Sequence, residues 1–171
     1  MTDDSMISSR RRRQIEAIIL ILLLIASLVG IFINDYSPAD GYGYWIMTVF
    51  VFAFFSIILG WLKSRQSSED FVSVLREQAL HWFCSLLVVG GASLVLKPEN
   101  NSGLIILLIL SLATVLDGLR VGWRFSVVGI FLGISAVIPT YTDHFFWVEL
   151  VIVAAIITLT IIWSFWLRKN N

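Results

Sequence analysis

Two histidines, one cysteine and three prolines are spread over 171 residues, and only 14% of the chain is charged. Each scarcity removes a class of function. The single cysteine, Cys84, excludes an intrachain disulfide and any CxxC redox or zinc motif. The histidines, His81 and His144, are too far apart for an HExxH metal helix. The chain also has no glycine-rich phosphate loop. A formal net charge of zero gives no overall basic character for nucleic acid to attract, so no nucleic-acid partner is expected.

What is present is apolar. Hydrophobic residues make up 58% of the chain, and mean hydropathy is +0.87. A soluble domain of this size cannot bury so much apolar surface, which makes the lipid bilayer the first expected partner. Six runs are candidate spans: Ile15–Ile33, Trp45–Leu62, His81–Leu96, Gly103–Leu116, Phe125–Pro139 and Phe146–Leu167. A helix needs about 20 apolar residues to cross a hydrocarbon core of about 30 Å, so the third, fourth and fifth cross only if their polar-ended flanks continue the helix. The expected fold class is all-α: an integral membrane helical bundle of about six transmembrane helices with both termini cytoplasmic.

The position of the charges sets that orientation. Arg10, Arg11, Arg12, Arg13, Lys63, Arg65, Arg76, Arg120, Arg124, Arg168 and Lys169 fall on the side of the amino terminus, and only Lys97 falls on the other. Positive charge concentrates on the cytoplasmic side. Residues 1–14 then form a basic cytoplasmic segment, 15–167 a single transmembrane domain and 168–171 a cytoplasmic tail. The basic front and apolar run at the start read as a retained first helix rather than a signal peptide, since no A-x-A-like cleavage site follows. Size and the lack of organelle targeting point to a bacterial inner membrane.

Between the second and third spans, Ser67 stands three residues ahead of Asp70, a capping-box spacing that predicts a helix start. Phe71, Val74, Leu75, Ala79 and Trp82 then follow helical spacing on one face, and Ser73, Glu77, His81 and Ser85 on another. This predicts an interfacial amphipathic helix over 68–80 that runs into span three. Ser73, Glu77 and His81 are its candidate docking face. Glu77, His81 and Cys84 share a side, but no fourth ligand is evident there, so neither a metal nor another cofactor is expected.

Two enzymatic motifs begin without being completed. The pair Asp117-Gly118 resembles the opening of the lipid phosphatidyltransferase signature but lacks its further aspartates. "GGASLV", Gly90 to Val95, resembles the serine-bearing segment of rhomboid proteases, yet no histidine stands on a later span to serve as base. Gly90 and Gly91 instead predict the close approach of another helix, and no enzyme activity is expected.

Ionisable groups inside a membrane are rare and mark pathways, and the middle thirds of the six runs hold none. Three clusters stand at the edges. Asp117, Arg120 and Arg124 make a possible inner polar site, in which the aspartate can pair with either arginine across a turn at Gly118 and Gly122. Asp143, His144 and Glu149 make a possible outer one, with Glu149 at headgroup level. Glu16 can pair with Arg12 or Arg13. Small residues are plentiful: Gly122, Ser126, Gly129, Gly133 and Ala136 step along one face of span five, a pattern that lets helices pack backbone to backbone. That face can serve packing within the chain or a partner subunit. The expected function is a non-enzymatic accessory or assembly subunit of a membrane complex, partnered by other membrane subunits or by itself. The alternative is a small-solute transporter or channel acting as an oligomer.

Overall fold

The computed structural model describes residues 3–64, 71–96, 102–141 and 146–169, and side chains over 14–64, 72–96, 102–139, 141 and 146–162. The described chain is all helix and turn. It consists of α1 (Asp3–Tyr36), α2 (Pro38–Ser64), α3 (Phe71–Val95), α4 (Ser102–Val121), α5 (Trp123–Val137), a 3-10 turn at Ile138–Thr140, and α6 (Phe146–Lys169). Four helices are long and apolar enough to cross a membrane: Gln14–Tyr36, Pro38–Ser64, Val72–Val95 and Ser102–Val121. At 1.5 Å per residue, the 15 residues of α5 extend only about 22 Å. That is short of the hydrocarbon core, because the helix gives way at Ile138-Pro139, where proline has no N–H to continue the ladder.

Two of the connections are single residues, and their sequences explain why. Between α1 and α2, the amide of Ser37 still closes onto the Ile33 carbonyl (2.7 Å), while its own carbonyl starts α2 by accepting from Asp40 and Gly41. Pro38 at the first helical position has no N–H to leave unpaired. The Ser37 hydroxyl donates to Asp40 Oδ2 at 2.6 Å, which ties the cap to the first turn. Between α4 and α5, Gly122 alone makes the turn, bonding back to the Gly118 carbonyl (2.9 Å) while its own carbonyl accepts from Phe125. Gly118 was expected to share that turn. It instead lies within α4, and a Cβ there would run into the Ser126 backbone of α5.

The bundle is organised on α2, which packs against α1, α3 and α4, while α5 packs mainly on α4 and also on α1, and α6 packs mainly on α1. Trp45, Phe52, Leu23, Leu24, Ile106, Leu110, Phe131 and Leu132 are among the largest fully buried side chains. Small residues decide where the backbones approach. Gly30 leaves room for the Tyr44 and Trp45 rings, and Gly129 sits against Val115 and the Ser111 carbonyl. At the other end of the bundle, Asn34 fills the space that both Gly41 and Gly103 leave open, so α1, α2 and α4 lock at one point.

α3 is one continuous helix of 25 residues, so the 71–80 stretch runs on into span three as expected, while positions 68–70 of the predicted segment lie outside the described residues. It departs from expectation in the face that it buries. The inward line is Gln78, Trp82 and Val89, whereas Leu75 and Ala79, expected on that face, are exposed. Only 17% of its most apolar stretch is buried, against 39%, 44% and 50% for α1, α2 and α4. A Cβ at Gly90 or Gly91 would meet nothing within 4 Å, so among the described residues the close helix approach expected there is not made. Cys84 is exposed.

Candidate functional site

The basic ends of the helices converge. The Lys63 ammonium of α2 donates to the Arg120 carbonyl at the end of α4, and the Arg124 guanidinium of α5 lies 3.9 Å from the Glu16 carboxylate of α1. An open recess of about 380 Å³ sits at this end, lined by Glu16, Leu20, Leu59, Trp123, Arg124 and Phe125 among others. The side chains of Arg12 and Arg13, the partners expected for Glu16, lie outside the described residues; its described ionic partner comes from α5.

Asp117 takes no part in that charged rim. It is fully buried, and its carboxyl does not pair with Arg120 or Arg124 as the sequence suggested. Side chains on a helix tilt toward the N-terminus. From a position one turn before the end of α4, this one therefore reaches back into the bundle. There the Ser56 hydroxyl of α2 contacts Asp117 Oδ2, and the Trp82 indole Nε1 of α3 donates to the same oxygen at 3.3 Å. Ser56 Oγ is also 2.9 Å from Gln78 Oε1 of α3. Asp117 Oδ1 is buried without a hydrogen-bond partner. Nearby, His81 Nε2 stands 3.0 Å from the Ala113 carbonyl, one turn before Asp117 on α4. A carbonyl only accepts, so Nε2 carries the hydrogen.

Two other helices thus contribute polar groups to one buried carboxyl of α4, in a bundle whose core includes Leu59, Trp82, Ala113 and Val121. Sequence reading placed Asp117 at the inner edge. It missed Ser56, Gln78 and Trp82 as its partners. The available signal was the i, i+4 step from Gln78 to Trp82 on the inward line of α3, which puts an amide and an indole on the same face.

Glu149 is the second correction. Expected at headgroup level, it is fully buried in the first turn of α6. The Ser135 hydroxyl of α5 donates to Glu149 Oε2 at 2.8 Å and also lies 2.9 Å from its own Phe131 carbonyl. Glu149 Oε1 has no partner. The burial follows from packing: α6 reaches the bundle through its first turn, where Phe146 meets Phe32 edge-on at 5.2 Å between ring centres. Asp143 and His144, the other members of the outer cluster, lie outside the described residues.

The remaining candidates are placed as follows. Along α5, Gly129 and Gly133 face Ser111 and Val115 of α4, Ser126 abuts Gly118, Ala136 is buried, and a side chain at Gly122 would meet nothing among the described residues. The Ser111 hydroxyl donates to the Gly129 carbonyl at 2.8 Å, so this face is engaged within the chain. On α3, Ser73 is half-buried and Glu77 exposed, while His81 turns toward α4. Glu77, His81 and Cys84 do not converge, and no group of three metal-ligating side chains occurs among the described residues. Comparisons with protein-family models, with characterised proteins and with solved structures find no match for this chain.

Proposed function

We propose that this chain is a small multi-pass transport protein, a bundle of six spans with both ends cytoplasmic in a bacterial inner membrane, and that it moves protons or a small solute coupled to them. The observation that carries this reading is Asp117: a carboxyl with no solvent exposure, hydrogen-bonded by side chains from two other helices, with one oxygen unpartnered. Ionisable groups at such depth are expensive to keep and mark ion and proton paths. The test uses the full chain in phosphatidylcholine–phosphatidylglycerol vesicles loaded with a pH-sensitive dye. After an imposed pH step, the wild type should equilibrate faster than empty vesicles. Asp117→Asn, with helix content intact, should fall back to the empty-vesicle rate.

A second reading, an accessory or assembly subunit, is favoured by α3. Each glycine inside a helix costs about 1 kcal/mol relative to alanine, and a side chain at Gly90 or Gly91 would meet nothing among the described residues. Small residues of this kind are the positions at which membrane helices meet. A tagged copy taken from native membranes in mild detergent should then bring down a stoichiometric partner, and Gly90→Leu with Gly91→Leu should release it while the bundle stays folded. The same substitution at Gly129 cannot make this distinction, because it would strike α4 first.

A further inference from the structure

The hydrogens around Ser56 do not add up for an ionised carboxyl. A serine hydroxyl has one hydrogen, yet Ser56 Oγ contacts two oxygens that ordinarily accept, Gln78 Oε1 and Asp117 Oδ2. Both contacts can be hydrogen bonds only if the carboxyl supplies a hydrogen of its own. Then Asp117 Oδ2–H donates to Ser56 Oγ, and Ser56 Oγ–H donates to Gln78 Oε1. A second complete order exists without that proton. If the Gln78 amide turns over, its Nε2 donates to Ser56 Oγ and Ser56 donates to the Asp117 carboxylate. The two ends of an amide have the same shape, so the cluster accommodates either order. In both orders Trp82 Nε1 can donate to the carboxyl.

We propose that Asp117, Ser56 and Gln78 form a proton-binding site in which uptake of one proton by the carboxyl is tied to reversal of the Gln78 amide. A proton leaves a hydronium ion in water at the basic end, forms an O–H bond on Asp117 and neutralises its charge; release returns it to water. The site deepens the transport reading by naming the ion and the groups that register its arrival. Among the described residues of the packed elements, His81 of α3 is held at the Ala113 carbonyl, one turn before Asp117. Lys63 of α2 is held at the Arg120 carbonyl, Arg124 of α5 pairs with Glu16, and Arg76, Glu77 and Arg120 are exposed.

The Ser135–Glu149 pair does not make the same demand. There the second acceptor is the Phe131 carbonyl of Ser135's own helix. A serine bond to the i−4 carbonyl is supplementary to the helix ladder, so the hydroxyl can turn wholly to the carboxylate.

Infrared difference spectroscopy of the full chain in vesicles, stepped in pH, tests the proposal. The carbonyl stretch of a protonated carboxylic acid should appear and disappear reversibly, move on labelling with isotopic aspartate, persist in Glu149→Gln and vanish in Asp117→Asn. A side-chain amide band should change with it and be lost in Gln78→Leu, which keeps the carboxyl band but moves its midpoint by about one pH unit, a tenfold change in proton affinity. A purely structural glutamine would move neither. The proposal is overturned if labelled wild type gives no such band at any pH at which it stays folded. It is also overturned if sodium at fixed pH removes the band, which would make a metal cation the occupant. A titrating band in vesicles that carry no proton flux supports the site and overturns the transport reading. Proton flux in a protein that shows no aspartate band does the reverse.

Discussion

Asp117 and Glu149 are both wholly buried carboxyls facing a serine, and each keeps one oxygen unpartnered. They differ in who surrounds them. Asp117 lies where α2, α3 and α4 meet, and its partners come from α2 and α3. Glu149 sits in the first turn of a peripheral helix, and its one described hydrogen-bond partner is a hydroxyl that retains a backbone carbonyl as a second acceptor. The physical lesson is that burial alone does not make a polar site. A carboxyl is the stronger candidate where side chains from several helices meet it, as at the first position and not at the second.

Substitutions can separate the two. Asp117→Ala should have the largest effect on stability, roughly 3 kcal/mol, because it leaves the Trp82 indole and one Ser56 or Gln78 contact buried and unsatisfied. The loss would be read as a lower unfolding temperature in detergent. Glu149→Ala should cost about 1 kcal/mol in the same assay, since Ser135 still bonds to Phe131. If the two losses are equal, the contrast between a three-helix node and a two-group contact fails. Trp82→Phe keeps an aromatic ring and removes one donor; a loss of about 1 kcal/mol is expected in the same assay. Ser135→Ala should cost more than Glu149→Ala, about 2 kcal/mol, because it strips the buried Glu149 carboxyl of its one described partner, and should leave proton flux unchanged.

The sequence made the helical class legible because long apolar runs admit no other backbone in lipid. Four of the runs became helices long enough to cross. The ends were also legible where local chemistry dictates them, as at Gly122 and Pro139. Depth was not. Position along a helix says how far a residue is from its end, but not whether a neighbouring helix covers it. Glu149, in a first turn, read as exposed until Phe146 was seen to dock on Phe32. Asp117 read as an arginine partner because Arg120 and Arg124 are its neighbours in sequence, while its actual partners, Ser56 and Trp82, are 61 and 35 residues away. The small-residue stripe of α5 was visible, but the identity of its partner, α4, depends on a one-residue turn that fixes the hairpin.

The most direct measurement of the central claim compares proton flux through vesicles holding wild type, Asp117→Asn and Glu149→Gln under one imposed pH step. The account predicts flux in the wild type and in Glu149→Gln, and none above empty vesicles in Asp117→Asn. Equal flux in all three, or loss in Glu149→Gln alone, would contradict it.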